Sequence, residues 1–260
     1  MYATTRDGAR IFYSLSGQTG SPRRVALLHS LAMDHTFWAP IAERLQNEAA
    51  VLTVDCRGHG RSDKPAGPYT VEQFADDLAD LFQHLGWDKA VVAGASMGGC
   101  VSLAFAIRHP QRVTGIGLFD TTACYGAPAP WEERAQKALV EGLASLTDFQ
   151  QTRWFSDRFR AENPGVVKAA LDVFLANELP AYAETCRMLG ACDLRDKLGD
   201  IKVPARIIVG SEDYATPIPM AQTMHDGIAG STMEIIEGAR HLSPLEIPDK
   251  IADELRILLG

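Results

Sequence analysis

A serine between two glycines is the residue of this chain best placed to do chemistry. The run from Val91 to Gly99, VVAGASMGG, joins an apolar, β-branched stretch to a segment of helical composition. A serine on such a sharp strand-to-helix turn is directed outward, and Gly94 and Gly98 let the two backbones approach closely. The first N–H groups of the helix also point at the serine, where they can stabilise negative charge. The pattern predicts that Ser96 is a nucleophile.

A glycine-rich turn between a strand and a helix can also bind a dinucleotide. That fingerprint, Gly-x-Gly-x-x-Gly, needs a second glycine so that the backbone can approach the pyrophosphate. Ser96 stands where that glycine would be, so a phosphate would be obstructed. The other alternative is a serine that only forms the turn. Partner residues elsewhere in the chain must decide whether Ser96 is a nucleophile or such a structural residue.

A serine hydroxyl needs a base to take its proton and a third group to orient that base. For a serine on such a turn, the expected chain order is serine, acid, histidine. Three histidines follow Ser96: His109 precedes a proline at a helix end, His225 lies in a helix-like segment, and His241 lies in a loop before the last helix. Because a loop leaves an imidazole free to face the site, we predict that His241 is the base.

The acid is expected in a loop after a strand between the serine and the histidine. Ala205–Gly210 has the composition of a buried parallel strand, and Asp213 lies in the loop that follows it. The carboxyl ends of parallel strands are where such sheets form their sites. Asp120, which closes the apolar stretch Val113–Phe119, is the rival. We predict that Asp213 orients His241, with Asp120 as the alternative.

Two backbone N–H groups are expected to stabilise the oxyanion of the reaction. One belongs to Met97, the residue after the nucleophile. The other is expected in a loop after an early strand, and Leu31 follows the apolar stretch Val25–His29. Each such donor can be worth roughly a hundred- to a thousandfold in rate. The alternative for this segment is a simple strand exit.

Strands and helices alternate along the chain, which predicts an α/β fold with a mostly parallel twisted sheet and helices on both faces. The predicted strands are Arg10–Leu15, Val25–His29, Val51–Asp55, Ala90–Gly94, Val113–Phe119, Ala205–Gly210 and Met233–Ile236. The predicted helices of this part are Trp38–Gln46, Val71–Leu85, Met97–Arg108, Ile218–Gly227 and Pro244–Leu259.

The alternation stops between residues 121 and 199, where no convincing strand occurs. Helical stretches are predicted there at Trp131–Ala144, Leu146–Phe155, Pro164–Asn177 and Leu179–Leu189. We therefore predict a helical cap, residues 121–199, inserted into a core domain of residues 1–120 and 200–260. A cap is expected to cover the serine and shape the substrate pocket.

Several side chains are candidates for the wall of that pocket. Trp131, Trp154 and Phe155 are the aromatic candidates of the cap, and His29 is the candidate from the core. A substrate that carries a carboxylate would need a local cation, for which Arg153, Arg134 and Arg187 are available in the cap.

With these residues the chain resembles the α/β-hydrolase fold superfamily over essentially its whole length. The shared features are the serine motif at 94–98, Asp213 and His241 in that order, the turn at 29–31, and the segment DCRGHGRS at 55–62. That segment resembles the superfamily's Asp-x-Arg-Gly-x-Gly-x-Ser turn. In it, glycines permit tight turns and Arg57 can tie loops together.

Within the superfamily the chain resembles 3-oxoadipate enol-lactonases, which open a small unsaturated lactone in aromatic degradation. Three stretches carry this resemblance: SLAMD at 30–34 with Phe37 and Trp38, RWFSDRFR at 153–160, and ACDLRD at 191–196. The chain departs from the pattern at His29, where many such lactonases have an asparagine.

The resemblance implies a serine hydrolase that cleaves a small-molecule ester or lactone through an acyl-enzyme and needs no cofactor. A carboxylesterase, a C–C bond hydrolase or a perhydrolase could use the same triad, and a receptor that turns over its ligand slowly is the alternative outside catalysis. A haloalkane dehalogenase is disfavoured because its nucleophile is an aspartate.

Composition excludes several other classes. The 260 residues carry a formal net charge of -8, which argues against a nucleic-acid partner. No stretch is long and apolar enough for a membrane span, and the N-terminus lacks the pattern of a signal peptide. Five cysteines without regular spacing predict a reducing, cytoplasmic compartment, and we expect no metal site. The oligomeric state is left open.

Overall fold

The computed structural model describes residues 1–260 and contains one eight-stranded sheet. Its strands are β1 (Tyr2–Thr4), β2 (Arg10–Gly17), β3 (Arg24–Leu28), β4 (Ala50–Val54), β5 (Ala90–Ala95), β6 (Val113–Phe119), β7 (Ala205–Gly210) and β8 (Thr232–Ile236). Their order across the sheet is β1-β2-β4-β3-β5-β6-β7-β8. The pairs β1–β2 and β2–β4 are antiparallel and all the others are parallel, which confirms the predicted α/β fold class.

Helices cover both faces of this sheet. In the first part of the chain they are α1 (Ala39–Leu45), α2 (Val71–Leu85) and α3 (Met97–Arg108), and after β7 they are α9 (Ile218–Gly227), α10 (Ser243–Glu246) and α11 (Pro248–Leu259). Helix α1 packs on α11, and α2 packs on α3. Every residue of β4 and β5 is buried as a result, which explains their continuous apolar composition.

Between β6 and β7 the chain adds no strand to the sheet and forms five α-helices. These are α4 (Pro128–Glu141), α5 (Thr147–Trp154), α6 (Asp157–Glu162), α7 (Pro164–Leu175) and α8 (Leu179–Ala191). The prediction from the sequence missed α6, whose start is fixed by the Ser156 side chain accepting a hydrogen bond from the Phe159 N–H. No helix of the chain combines the length and apolar character needed to cross a bilayer.

Two further predictions were wrong in detail. Strand β1 was not predicted, since three residues are too few to show an alternating pattern. The single helix predicted over Pro244–Leu259 is two helices, because Pro248 lacks an N–H and pushes Ile247 out of helical geometry, to φ -134° and ψ 55°.

Candidate active site

Ser96 lies at the junction of β5 and α3 in a strained backbone conformation. Its φ of 50° belongs to the left-handed region, which non-glycine residues rarely adopt. The glycines around it are required by space: a Cβ on Gly94 would collide with the backbone of Gly98, and one on Gly98 would collide with the carbonyl of Leu28. The turn therefore holds the serine where the sequence pattern predicted.

The structure brings Ser96, His241 and Asp213 together from three distant parts of the chain. The Oγ of Ser96 lies 3.0 Å from Nε2 of His241. On the other side of the ring, Nδ1 of His241 lies 2.9 Å from Oδ2 of Asp213. All three residues are buried, which protects the hydrogen bonds from competition with water. In this arrangement Nδ1 donates to the carboxylate and leaves Nε2 free to accept the hydroxyl proton.

Asp213 is held in its ionised form by the loop that carries it. Its Oδ1 accepts hydrogen bonds from the N–H groups of Ala215 at 2.7 Å and Thr216 at 3.0 Å, and the Thr216 hydroxyl donates to Oδ2 at 2.7 Å. Burial alone would raise the pKa of Asp213, but attraction to His241 and the hydrogen bonds outweigh it and lower the pKa to about 2. The carboxylate can therefore stabilise a positive imidazole at neutral pH.

The rival carboxylate, Asp120, lies in the same region but does not contact the imidazole. Its Oδ1 accepts the N–H of Gly210 at 3.2 Å and its Oδ2 accepts the N–H of Ser243 at 2.8 Å. Burial, and then the neighbouring charge of Asp213, raise the pKa of Asp120 well above its usual range. Asp120 thus connects the end of β7 to the first residue of α10, two residues after His241.

The two predicted oxyanion donors occupy suitable backbone positions. Met97 begins α3 directly after Ser96, where an N–H has no acceptor within its own helix. Leu31 lies in a turn closed by a hydrogen bond of 3.0 Å from the Met33 N–H to the Ser30 carbonyl, and its own N–H donates to no other group. Both N–H groups are therefore free to bind an oxyanion.

His29 does not line the pocket, contrary to the expectation from the sequence. The ring is fully buried, and its Nε2 accepts the Cys56 N–H at 3.0 Å. This fixes Nδ1 as the donor to the Ser30 carbonyl, at 2.8 Å. Burial lowers the pKa of His29, so the ring is neutral, as the two hydrogen bonds require. His29 therefore supports the turn that carries Leu31 from the core side.

A small cavity opens at the serine hydroxyl, between the sheet and the helices that follow β6. It holds about 20 Å³ of space that water can enter, roughly one water molecule. The residues that line it are Ser30, Leu31, Ser96, Tyr125, Trp131, Arg134, Gln150, Arg153, Trp154, Leu189 and His241. The predicted wall residues Trp131, Arg153 and Trp154 are among them, whereas His29 and Phe155 are not.

Sequence reasoning missed Tyr125 and Gln150 as residues of the cavity wall. No pattern in the neighbouring sequence distinguishes these two residues, because tyrosine and glutamine are also common on exposed surfaces. The Gln150 side chain is buried and its Oε1 has no hydrogen-bond partner within the chain. An acceptor in this state is available to a hydrogen-bond donor, water included.

Two of the three arginine candidates reach the cavity. The guanidinium of Arg153 makes no hydrogen bond or ion pair within the chain, and burial, together with nearby Arg134, lowers its pKa to about 10. Arg134 donates only to the Tyr182 hydroxyl, at 2.7 Å. Arg187 instead pairs with Glu132 and Glu184, and it does not line the cavity. Two cations without a carboxylate partner therefore line the same cavity as Ser96.

One group of side chains has the composition of a metal site. Ligand atoms of Asp34, His35 and Asp55 lie within 4.8 Å of one another. Asp55 already accepts the His35 N–H at 2.6 Å and the Arg61 N–H at 2.8 Å, and Asp34 accepts the Thr36 N–H at 2.8 Å. These carboxylates organise two turns, and none of them lines the cavity at Ser96.

Several known proteins resemble this chain in sequence and in fold. Residues 23–248 match the family model of the alpha/beta hydrolase fold. The chain is 33% identical to 3-oxoadipate enol-lactonase 1 of Acinetobacter baylyi, over 95% of this chain and 92% of that protein. The crystal structure of the enol-lactonase from Burkholderia xenovorans LB400 superposes with a TM-score of 0.94 at 34% identity, covering 100% of this chain and 99% of that one. A thermophilic esterase from Thermogutta terrifontis, solved with malate bound, superposes with a TM-score of 0.92 at 30% identity, covering 100% and 97%.

Proposed function

This chain belongs to the α/β-hydrolase fold family, and we propose that it cleaves a small ester or lactone through a covalent acyl-enzyme on Ser96. The observation that carries the proposal is the continuous hydrogen-bond path from the Ser96 hydroxyl through His241 to Asp213, with distances of 3.0 and 2.9 Å. The similarity of this chain to 3-oxoadipate enol-lactonases favours the lactone of those enzymes as the substrate.

The first half of the reaction forms the acyl-enzyme. Ser96 Oγ attacks the carbonyl carbon while its proton passes to Nε2 of His241. The carbonyl oxygen becomes an oxyanion, which the N–H groups of Leu31 and Met97 stabilise. Asp213 keeps the ring in the required tautomer and stabilises its positive form. When the tetrahedral intermediate collapses, the bond from the carbonyl carbon to the leaving oxygen breaks, and His241 gives that oxygen its proton.

The second half hydrolyses the acyl-enzyme. Water gives a proton to His241 and attacks the acyl carbon, and a second tetrahedral intermediate releases the acid and returns the proton to Ser96. The leaving oxygen of a lactone stays attached to the acyl group, so water must attack before the ring closes again.

The charges of the cavity favour a substrate that carries a carboxylate. Arg153 and Arg134 are half-buried and have no anionic partner in the chain. Keeping two like charges together in a partly buried wall is costly unless an anion joins them during function. A carboxylate beside the lactone ring would supply that anion. The malate found in the related esterase from Thermogutta terrifontis is also a carboxylate ligand.

We further propose that residues 121–199 form a cap on a core of residues 1–120 and 200–260. Trp131, Arg153 and Trp154 would then be cap residues that shape the pocket. A cavity with about 20 Å³ of open space is far too small for a lactone. We therefore expect the helices of the cap to move outward when substrate enters, and to exclude water once it is bound.

A substrate panel tests the proposal most directly. The purified protein is assayed on 3-oxoadipate enol-lactone, on a neutral lactone of similar size, on nitrophenyl acetate and on a ring-cleavage diketone. We expect the highest kcat/KM for the carboxylate-bearing lactone. The highest value for nitrophenyl acetate would favour a carboxylesterase, and the highest for the diketone a C–C bond hydrolase.

Mass spectrometry of the quenched reaction separates the covalent mechanism from its alternatives. A transient mass increase equal to the acyl group, located on Ser96, is expected during turnover. A stable adduct after one turnover would indicate a receptor, and turnover without any adduct on Ser96 would contradict the proposed mechanism.

A further inference from the structure

We propose that Asn177, two residues after the end of helix α7, is a positioning residue that holds the turn carrying the oxyanion donor Leu31. The proposal rests on the proposed function, because it concerns the same oxyanion site. Asn177 lies 145 residues from this turn in sequence, and it touches neither the cavity nor the triad.

The turn needs support because its backbone is strained. Residues 30–33 form a tight turn in which Ala32 has a φ of 61°, in the left-handed region that favours glycine. The turn is closed by the hydrogen bond of 3.0 Å from the Met33 N–H to the Ser30 carbonyl. A strained conformation of this kind persists only where surrounding contacts enforce it. If the turn relaxed, the N–H of Leu31 would change direction.

Asn177 supplies one of these contacts from the cap side. Its Nδ2 donates to the Ala32 carbonyl at 2.8 Å, and also contacts the carbonyls of Val173 at 2.9 Å and Phe174 at 3.1 Å. All three neighbours are acceptors, so the amide nitrogen, not the oxygen, must face them. The same side chain therefore joins the end of α7 to the strained residue of the turn.

The turn is thus fixed from two sides. His29 donates to the Ser30 carbonyl from within the core, at 2.8 Å, and so orients the peptide whose N–H belongs to Leu31. Asn177 fixes the Ala32 carbonyl from the segment after α7. Because Asn177 belongs to the proposed cap, the oxyanion donor takes its final direction only when this part of the cap is in place.

Steady-state kinetics of Asn177→Ala with nitrophenyl acetate test the proposal. Losing a whole oxyanion donor lowers kcat roughly a hundred- to a thousandfold, so a misdirected donor is expected to lower it about tenfold. KM should change by less than about twofold, because the ground-state carbonyl depends little on this donor. The affinity for an alkyl boronic acid, whose adduct with Ser96 places an oxygen in the oxyanion site, should fall in parallel with kcat. Unchanged kcat and boronate affinity would overturn the proposal.

Two variants distinguish the bond to Ala32 from a general effect on α7. Asn177→Ser keeps a hydroxyl in the segment after α7 but is too short to reach the Ala32 carbonyl, so it should lose as much activity as Asn177→Ala. Lys168→Ala, at an exposed site on the same helix, should keep full activity. Full activity in Asn177→Ser would contradict the proposed role.

The substitution Ala32→Gly gives a direct test of strain. Glycine adopts a positive φ without cost, so the turn should no longer depend on Asn177, and Asn177→Ala should lower kcat much less in this background. An equal loss in both backgrounds would overturn the proposal. Failure of the proposed function is recognised separately: in that case the wild-type protein itself shows no turnover that depends on Ser96.

Discussion

The carboxylate of Asp120 accepts the backbone N–H of Ser243 at 2.8 Å, two residues after His241. Asp120 therefore acts on the loop that carries the imidazole, whereas Asp213 acts on the imidazole itself at 2.9 Å. These two carboxylates, each of which follows a strand of the sheet, therefore contact different groups. The first two predictions test Ser96 as the proposed nucleophile and then compare Asp213 with Asp120.

Ser96→Ala should abolish turnover and leave the fold intact. The variant removes only the attacking oxygen, and alanine has the same backbone strain as serine at this site. We expect kcat/KM to fall by about a thousandfold or more, with a melting temperature close to that of the wild type. The matched control is Ser102→Ala in the same helix, whose hydroxyl only donates to the Gly98 carbonyl, and it should retain activity. Substantial hydrolysis by Ser96→Ala would contradict the assignment.

Asp213→Asn and Asp120→Asn should differ in what they damage. An amide at 213 favours the wrong tautomer of His241 and should lower kcat by about ten-thousandfold. In Asp120→Asn the side-chain amide would place its NH₂ group against the N–H of either Gly210 or Ser243, and two donors cannot bond to each other. We expect this to lower the free energy of unfolding by about 1–3 kcal/mol and to affect kcat far less than Asp213→Asn does. Kinetics and urea unfolding of both variants provide the comparison. A larger loss of kcat in Asp120→Asn would reverse our choice of the acid.

The lowered pKa of Asp213 predicts how stability depends on pH. Its ordinary pKa is 3.8 and its folded-state pKa is about 2. The ionised group therefore stabilises the fold above pH 4, by about 2 kcal/mol. This contribution is lost as the pH falls from about 4 towards 2. Urea unfolding of the wild type and of Asp213→Asn between pH 7 and 3 should show the difference in unfolding free energy narrowing below pH 4. A difference that stays constant over this range would contradict the prediction.

Arg153→Gln should impair binding of a carboxylate-bearing lactone and not of a neutral ester. A lost hydrogen bond between charged groups costs about 1.5–3 kcal/mol, which corresponds to a rise in KM of about ten- to a hundredfold. Nitrophenyl acetate carries no charge, so its KM should stay within about twofold. Arg187→Gln is the matched control, because Arg187 is already paired with Glu132 and Glu184. An equal rise in KM for both substrates would argue against a carboxylate subsite at Arg153.

The local parts of this site could be predicted from the sequence. A strand, a tight turn and a helix are adjacent in the chain, so the spacing of Gly94, Ser96 and Gly98 is enough to predict the turn that holds the proposed nucleophile. The order of Ser96, Asp213 and His241 was also readable, since each follows a strand, and parallel strands present their carboxyl ends at one edge of a sheet. The interruption of the strand pattern between residues 121 and 199 likewise predicted helices there.

The remaining features depend on contacts between residues far apart in sequence. Arg153 and Arg187 look alike in the chain, yet only Arg187 meets carboxylates, from another helix and from its own. His29 was expected in the pocket, but its direction is set by the Cys56 N–H, which β4 brings beside it. No local pattern encodes such pairings, because hydrogen bonds and charges are satisfied by whatever the fold places nearby. Sequence therefore determined which groups could react, and tertiary structure decided which of them face the serine and which hold the others in place.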